Sequence, residues 1–269
     1  MAAPMAICLV LVGIHVYFGL HIIRRGIIFV DIALAQFSAL GAALGLAAGI
    51  ALGTNYSKAI GVATAIAAAW LISLTHKRAG KVPQEAFIGI AYAVASAATI
   101  LMLVGVPHGG EEIKALLVGS ILWVSWVDVG QSAVLYSLIG LFHYYCRRQF
   151  FAVTNDPRAA KAAGIKVGTW DFLFYASLGA AVTQSVQVAG VLLVFTLLVV
   201  PGAMALLAQP NASPARLLAT GWVIGVVIAS GGAALSYALD LPTGATIVCA
   251  FGVCLVVQMA FRRAPNNGE

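Results

Sequence analysis

Val188-Ala189-Gly190-Val191-Leu192-Leu193-Val194-Phe195-Thr196-Leu197-Leu198-Val199-Val200-Pro201-Gly202-Ala203-Met204-Ala205-Leu206-Leu207-Ala208 is a run of 21 residues without a charged side chain. Coiled as an α-helix at 1.5 Å per residue it is about 30 Å long, which is the thickness of a bilayer's hydrocarbon core. In lipid, each backbone N–H and C=O must find its partner within the segment, and a helix provides that. Similar runs recur in both directions along the chain. They predict spans near 5–23, 27–52, 58–75, 86–106, 126–145, 171–186, 188–208, 216–239 and 244–261, with the break before the quoted run at Gln184-Ser185-Val186-Gln187.

Composition leads to the same place. Of 269 residues, 62% are hydrophobic and 9% charged, and the mean hydropathy is +1.00. Soluble domains carry about 25% charged residues, so a water-facing globule is excluded. The expected fold is all-α: one polytopic transmembrane domain over 1–269, with about eight or nine membrane helices. Cys8, Cys146, Cys249 and Cys254 form no CxxC pair, so neither a disulfide framework nor a zinc-finger spacing is present. Met1 to Val12 lacks a basic start and an A-x-A site, and the first helix is expected to be retained. No repeat or low-complexity tract is evident.

The stretch from Glu111 to Tyr145 would be about 52 Å as one helix, too long for a single span. Ser125-Trp126-Val127-Asp128 has the form of a capping box, so a helix is expected to start there, after a short outer helix near 112–122. With the N-terminus outside, 13 of the 15 basic residues fall in inner loops. These are Arg24, Arg25, Lys77, Arg78, Lys81, Arg147, Arg148, Arg158, Lys161, Lys166, Arg216, Arg262 and Arg263, leaving Lys58 and Lys114 outside. The bias fits the positive-inside rule and places the C-terminus in the cytoplasm. Trp123 and Trp126 suit an outer aromatic belt, and Trp170 an inner one.

Gly41, Gly45 and Gly49 repeat every four residues, as Gly221 and Gly225 do, the spacing of a face on which membrane helices approach closely. Pro201 is expected to kink or break its span. In the longest polar stretch, Arg147 to Trp170, Asp156 is a natural N-cap, Pro157 a first helical residue and Gly164 a C-terminal stop. A two-turn cytoplasmic helix follows, too short to stand alone in water. It is either a connector drawn onto the lipid headgroups by Arg158 and Lys161, or a docking element for a cytoplasmic partner.

Asp156 to Ile165, Val188 to Val194 and Leu198 to Ala203 together resemble the permease subunits of zinc/manganese ABC importers. The resemblance extends to Arg24-Arg25 and to Val118-Gly119-Ser120-Ile121-Leu122, in consistent order over nearly the whole chain. It implies a coupling helix in which Asp156, Pro157, Ala160 and Gly164 shape the element that seats in a cleft of an ATPase subunit. It also implies a homodimer of permeases, a cytoplasmic ATP-binding subunit and an extracytoplasmic metal-binding protein. Gly190 and Pro201 belong to its most specific block. No phosphate-binding Gly-x4-Gly-Lys-Ser/Thr loop occurs in the sequence, so this chain is expected to bind no cofactor and to leave ATP to a partner.

Ionisable groups inside spans are costly and mark ion paths. They are His15, His21, Asp31 and, near an end, His143. Aligning Ala33-Leu34 with the family's Gly-Asp-Ala-Leu-x-His pattern puts Gln36 at the histidine and Ile32 at the aspartate, with Asp31 one place early. Asp31 and Gln36 are then about 140° apart around the helix. His15 and Gln36 lie at similar depth, and if the first two spans are neighbours they meet near the midplane. The expectation is a translocation path lined by His15, Gln36 and Asp31, against the alternative of a buried polar pair that only holds helices together. Pro107-His108-Gly109-Gly110-Glu111-Glu112 offers an outer imidazole and two carboxylates, read chiefly as a solvated helix start.

No Ser/His/Asp constellation, paired catalytic carboxylates or HExxH motif is present, so the chain is not expected to be an enzyme. The residues and the resemblance together imply an inner-membrane permease for zinc or manganese. The alternatives are a permease for iron-chelate or cobalamin-type cargo and an ATP-independent secondary transporter. The basic loops reflect membrane orientation, and no nucleic-acid partner is expected.

Overall fold

Helix ends in this chain are set by local chemistry. The computed structural model describes residues 2–75, 82–104, 106 and 121–262, and within them all regular structure is helical. In chain order the helices are α1 (Ala2–Arg25), α2 (Val30–Ala47), α3 (Asn55–Thr75), α4 (Gln84–Leu103), α5 (Trp126–Tyr145) and α6 (Arg147–Asn155). Then come α7 (Pro157–Ala162), α8 (Val167–Ala189), α9 (Val191–Ala208), α10 (Pro214–Leu239) and α11 (Thr243–Arg262). A 3-10 turn at Ile121–Trp123 precedes α5. The rest of the predicted outer helix, the Pro107–Glu112 stretch, Lys77, Arg78, Lys81, Lys114 and Arg263 lie outside the described residues.

Eight of these helices are long and apolar enough to cross a membrane: α1 to α4 and α8 to α11. The molecule is a polytopic membrane bundle. α5 matches them in length, at 20 residues, but its buried stripe is Val129, Ser132, Tyr136, Ile139 and His143, partly polar at helical spacing. Its start is the predicted capping box. Asp128 N–H donates to Ser125 Oγ, and Ser125 N–H donates to Asp128 Oδ2.

One predicted boundary is corrected, and of the two outcomes expected at Pro201 the break does not occur. Gln184 to Gln187 do not break the chain; α8 runs through them to Ala189. Gln184 and Ser185 are spent on α5: Gln184 Nε2 donates to Ser132 Oγ at 3.2 Å, and Ser185 bonds the Tyr136 hydroxyl. The break falls at Gly190, with φ of +78°, a backbone state that disfavours any residue bearing a Cβ. Pro201 does not end its helix, because α9 runs from Val191 to Ala208 through it. Its ring lies against Gly225 of α10, and its carbonyl faces Gly221.

α1 packs against α5, α9 and α10, whereas α2 packs against α3, α4 and α8. α8 joins the two groups through α2, α3 and α5. Gly41 lies directly on α3, where a Cβ would come within 2.8 Å of the Ile60 carbonyl, and Gly45 faces the Ile60 side chain. Gly49 is not the third member of that face. It lies beyond the end of α2 with φ of +83°, and Ile50 N–H reaches back to the Gly45 carbonyl, so it serves the helix stop.

The contacts gather the basic residues at one end of the bundle. Arg25 meets Asp171 at the start of α8, and Leu20 packs with Leu217 and Ala205 where α10 begins and α9 closes. Gln258, near the end of α11, donates to the Met204 carbonyl. Lys58 begins α3 beside the far end of α2.

Candidate functional site

From the basic end toward the middle of the bundle, α1 presents Arg25, His21, Tyr17 and His15 to α5, α6 and α8. Arg25 Nη1 donates to Asp171 Oδ1 at 2.7 Å, with the two side chains 7% and 2% exposed. Its Nε donates to Thr154 Oγ1 of α6 at 3.0 Å, and the same hydroxyl bonds His21 Nδ1 at 2.8 Å. The guanidinium also lies over the Phe174 ring, 4.1 Å from its centroid.

Next along the helix, the Tyr17 hydroxyl and His143 Nδ1 are 3.0 Å apart, and His143 Nε2 is 2.8 Å from Ser177 Oγ. Ser177 Oγ–H in turn donates to the Phe174 carbonyl, so it accepts from His143 Nε2–H and Tyr17 O–H donates to Nδ1. Phe150 stacks flat on His143 with centroids 4.0 Å apart. Deeper still, His15 meets the edge of Tyr136, whose hydroxyl bonds Ser185 of α8.

These groups form a column of buried polar contacts from Arg25 to the middle of the bundle. Its foot is Thr154, two residues before the cap of α7. The outline of α7 is as expected. Asp156 Oδ1 accepts from Arg158 N–H and Ala159 N–H, both at 2.9 Å, and Pro157 is the first helical residue. Gly164 follows with φ of +83°, and Ile165 N–H returns to the Ala160 carbonyl. Ala160 is buried against Val153 and Val167 and anchors the helix. Arg158, Ala159, Lys161, Ala162 and Ala163 face outward.

The three path residues are all buried, but His15 and Gln36 do not form the expected pair. Their helices belong to different packing groups, and His15 turns to Tyr136 of α5. Its Nδ1 donates to the Leu11 carbonyl at 2.7 Å, and its Nε2 has no partner. Asp31 sits in the first turn of α2, near the basic end, with Oδ1 unpartnered. Among the described residues no three His, Cys, Asp or Glu side chains are grouped to hold a metal ion.

Sequence reasoning missed Asp171 and Thr154 as members of the site. A carboxylate in the second turn of an apolar helix, with Arg25 ending another, was the available signal. Gly19 was also missed: a Cβ there would overlap the Leu198 carbonyl of α9.

The model of the ABC 3 transport family matches residues 1–262. The chain belongs to that family. It is similar to the manganese transport system membrane protein MntC of Halalkalibacterium halodurans, at 30% identity over 77% of this chain and 68% of MntC. The fold is that of the PsaBC structure from Streptococcus pneumoniae in complex with Fab, with a TM-score of 0.79 and 21% identity over 96% of this chain and 90% of the other. An inward-facing putative metal-chelate type ABC transporter aligns with a TM-score of 0.71 at 18% identity, covering 96% and 85%.

Proposed function

We propose that this chain is the inner-membrane permease of an ABC importer for a divalent transition metal ion, manganese or zinc, working as a homodimer with a separate ATPase. The observation that carries the reading is α7. It is a two-turn helix, capped at both ends, held to the bundle by Ala160, and presenting a face of small and basic side chains to the outside. With the basic end in the cytoplasm, as the positive-inside rule requires, that face meets an ATPase. The resemblance to MntC supports manganese as cargo.

In this reading ATPase closure pushes α7, and the load passes through Thr154 to Arg25 and Asp171, so α1 and α8 feel the same displacement. A metal ion delivered by an extracytoplasmic binding protein passes the unpartnered atoms of Asp31 and His15, with Gln36 on the route. Carboxylate and amide oxygens favour manganese over softer ions. A chelated cargo is a second reading, favoured by Gln36 standing where the family pattern has an imidazole.

Uptake by vesicles containing permease and ATPase, across manganese, zinc and an iron chelate, separates these. Ala159→Trp and Ala162→Trp place bulk on the outward face of α7. Both are expected to abolish ATPase co-purification and ATP-dependent uptake while the protein stays monodisperse. Unchanged uptake would return α7 to a connector on the headgroups, and ATP-independent uptake would remove the importer reading altogether.

A further inference from the structure

A groove of about 670 Å³ opens between the basic-end halves of α1, α5 and α10, with α6 at its mouth. Its deep end is at Gly13, whose carbonyl accepts the Trp222 Nε1–H at 2.9 Å. Its mouth carries Arg24 and Arg147, both exposed, the latter lying over the Tyr144 ring at 4.4 Å. Between these ends run apolar walls that include Leu20 and Leu218. Among the described residues the one ion pair is Arg25–Asp171, so neither mouth arginine has a carboxylate partner there.

From Gly13 to Arg24 the helix rises about 16 Å, half the roughly 30 Å hydrocarbon core. The groove therefore has the depth of one leaflet, apolar along its length and cationic where headgroups lie. Water gains nothing from such walls, whereas an acyl chain fills them, and an ester phosphate supplies the anion that neither guanidinium group meets among the described residues. We infer that this groove holds an acyl chain of an anionic phospholipid from the leaflet at the basic end, with the phosphate against Arg24 and Arg147.

The test uses the full-length chain in mild detergent, offered equal amounts of phosphatidylglycerol and phosphatidylcholine, with retained lipid read by native mass spectrometry. The wild type is expected to retain phosphatidylglycerol by about twenty-fold, and Arg24→Gln or Arg147→Gln to lower that preference about five-fold each. Both arginines are exposed, so these variants keep the wild-type fold. Leu218→Trp narrows the groove and is expected to reduce retention of both lipids. Equal retention of the two lipids by the wild type, or an unchanged preference in the glutamine variants, overturns the proposal. So does a spectrum in which the single chain keeps lipid and the two-copy species has expelled it, since that assigns the groove to the second copy.

Discussion

Two seams on α1 hold their neighbours by opposite means. Toward α9 and α10 the seam is apolar, apart from the Trp222–Gly13 hydrogen bond, and built on missing side chains. Gly19 sits on the Leu198 carbonyl, and Gly221 and Gly225 receive Val16 and Val12. Toward α5, α6 and α8 the seam is polar, from the Arg25–Asp171 pair through Tyr17, His143 and Ser177 to His15 and Tyr136. Where lipid tails are as apolar as the helices, close backbone approach gains dispersion contacts that tolerate little change of geometry. Buried hydrogen bonds add directional partners that can be exchanged, but each is costly when left open. The first seam behaves as a weld. The second is suited to be a joint, and it alone reaches α7.

Breaking the joint at its charged foot has the largest expected effect. Arg25→Leu removes the guanidinium that bonds the buried Asp171 carboxylate and is expected to cost about 3–5 kcal/mol, read as a lowered unfolding midpoint in detergent. Replacing both residues with leucine is expected to restore most of that loss. A double variant as unstable as the single one would show that the pair is not what holds the seam.

Challenging the weld comes next. Gly19→Ala places a methyl group on the Leu198 carbonyl, a rigid backbone atom, and about 1–3 kcal/mol of destabilisation is expected in the same unfolding assay. Gly225→Ala meets Val12 Cγ1 most closely, with Val12 Cγ2 and the Pro201 ring at ordinary contact distance, so a side chain rather than a backbone carbonyl must shift and its expected cost is smaller. Equal losses at the two positions would dissolve the distinction between backbone and side-chain contact along this seam.

The smallest effect is expected inside the joint. Tyr17→Phe removes one hydroxyl and opens His143 Nδ1, at about 0.5–1.5 kcal/mol by chemical or thermal unfolding. In paired permease and ATPase vesicles, Tyr17→Phe is expected to lower uptake per ATP hydrolysed, while Gly225→Ala leaves that ratio alone. An unchanged ratio in Tyr17→Phe would deny the polar seam its part in coupling.

Much of the fold was legible because membrane insertion is decided segment by segment. The Ser125–Asp128 capping box and the ends of α7 depend on residues within four positions of each other, and the structure places both where the sequence indicated. Gly49 misled because a four-residue repeat looks the same whether its last member lies on a helix or just past it. Gln184 to Gln187 misled because polar residues mark a helix end in water, whereas inside a bundle they mark a polar neighbour.

Residues near one another in the chain are enough to specify the greasy helices, the basic loops and the capped two-turn helix, since transfer energy and capping act locally. Packing in three dimensions puts α1 and α2 in different groups, turns His15 to Tyr136 rather than Gln36, and brings Arg25 to Asp171, 146 positions away. Helix neighbours in a bilayer are chosen by shape and by buried polar partners, and both belong to pairs of helices rather than to either one alone.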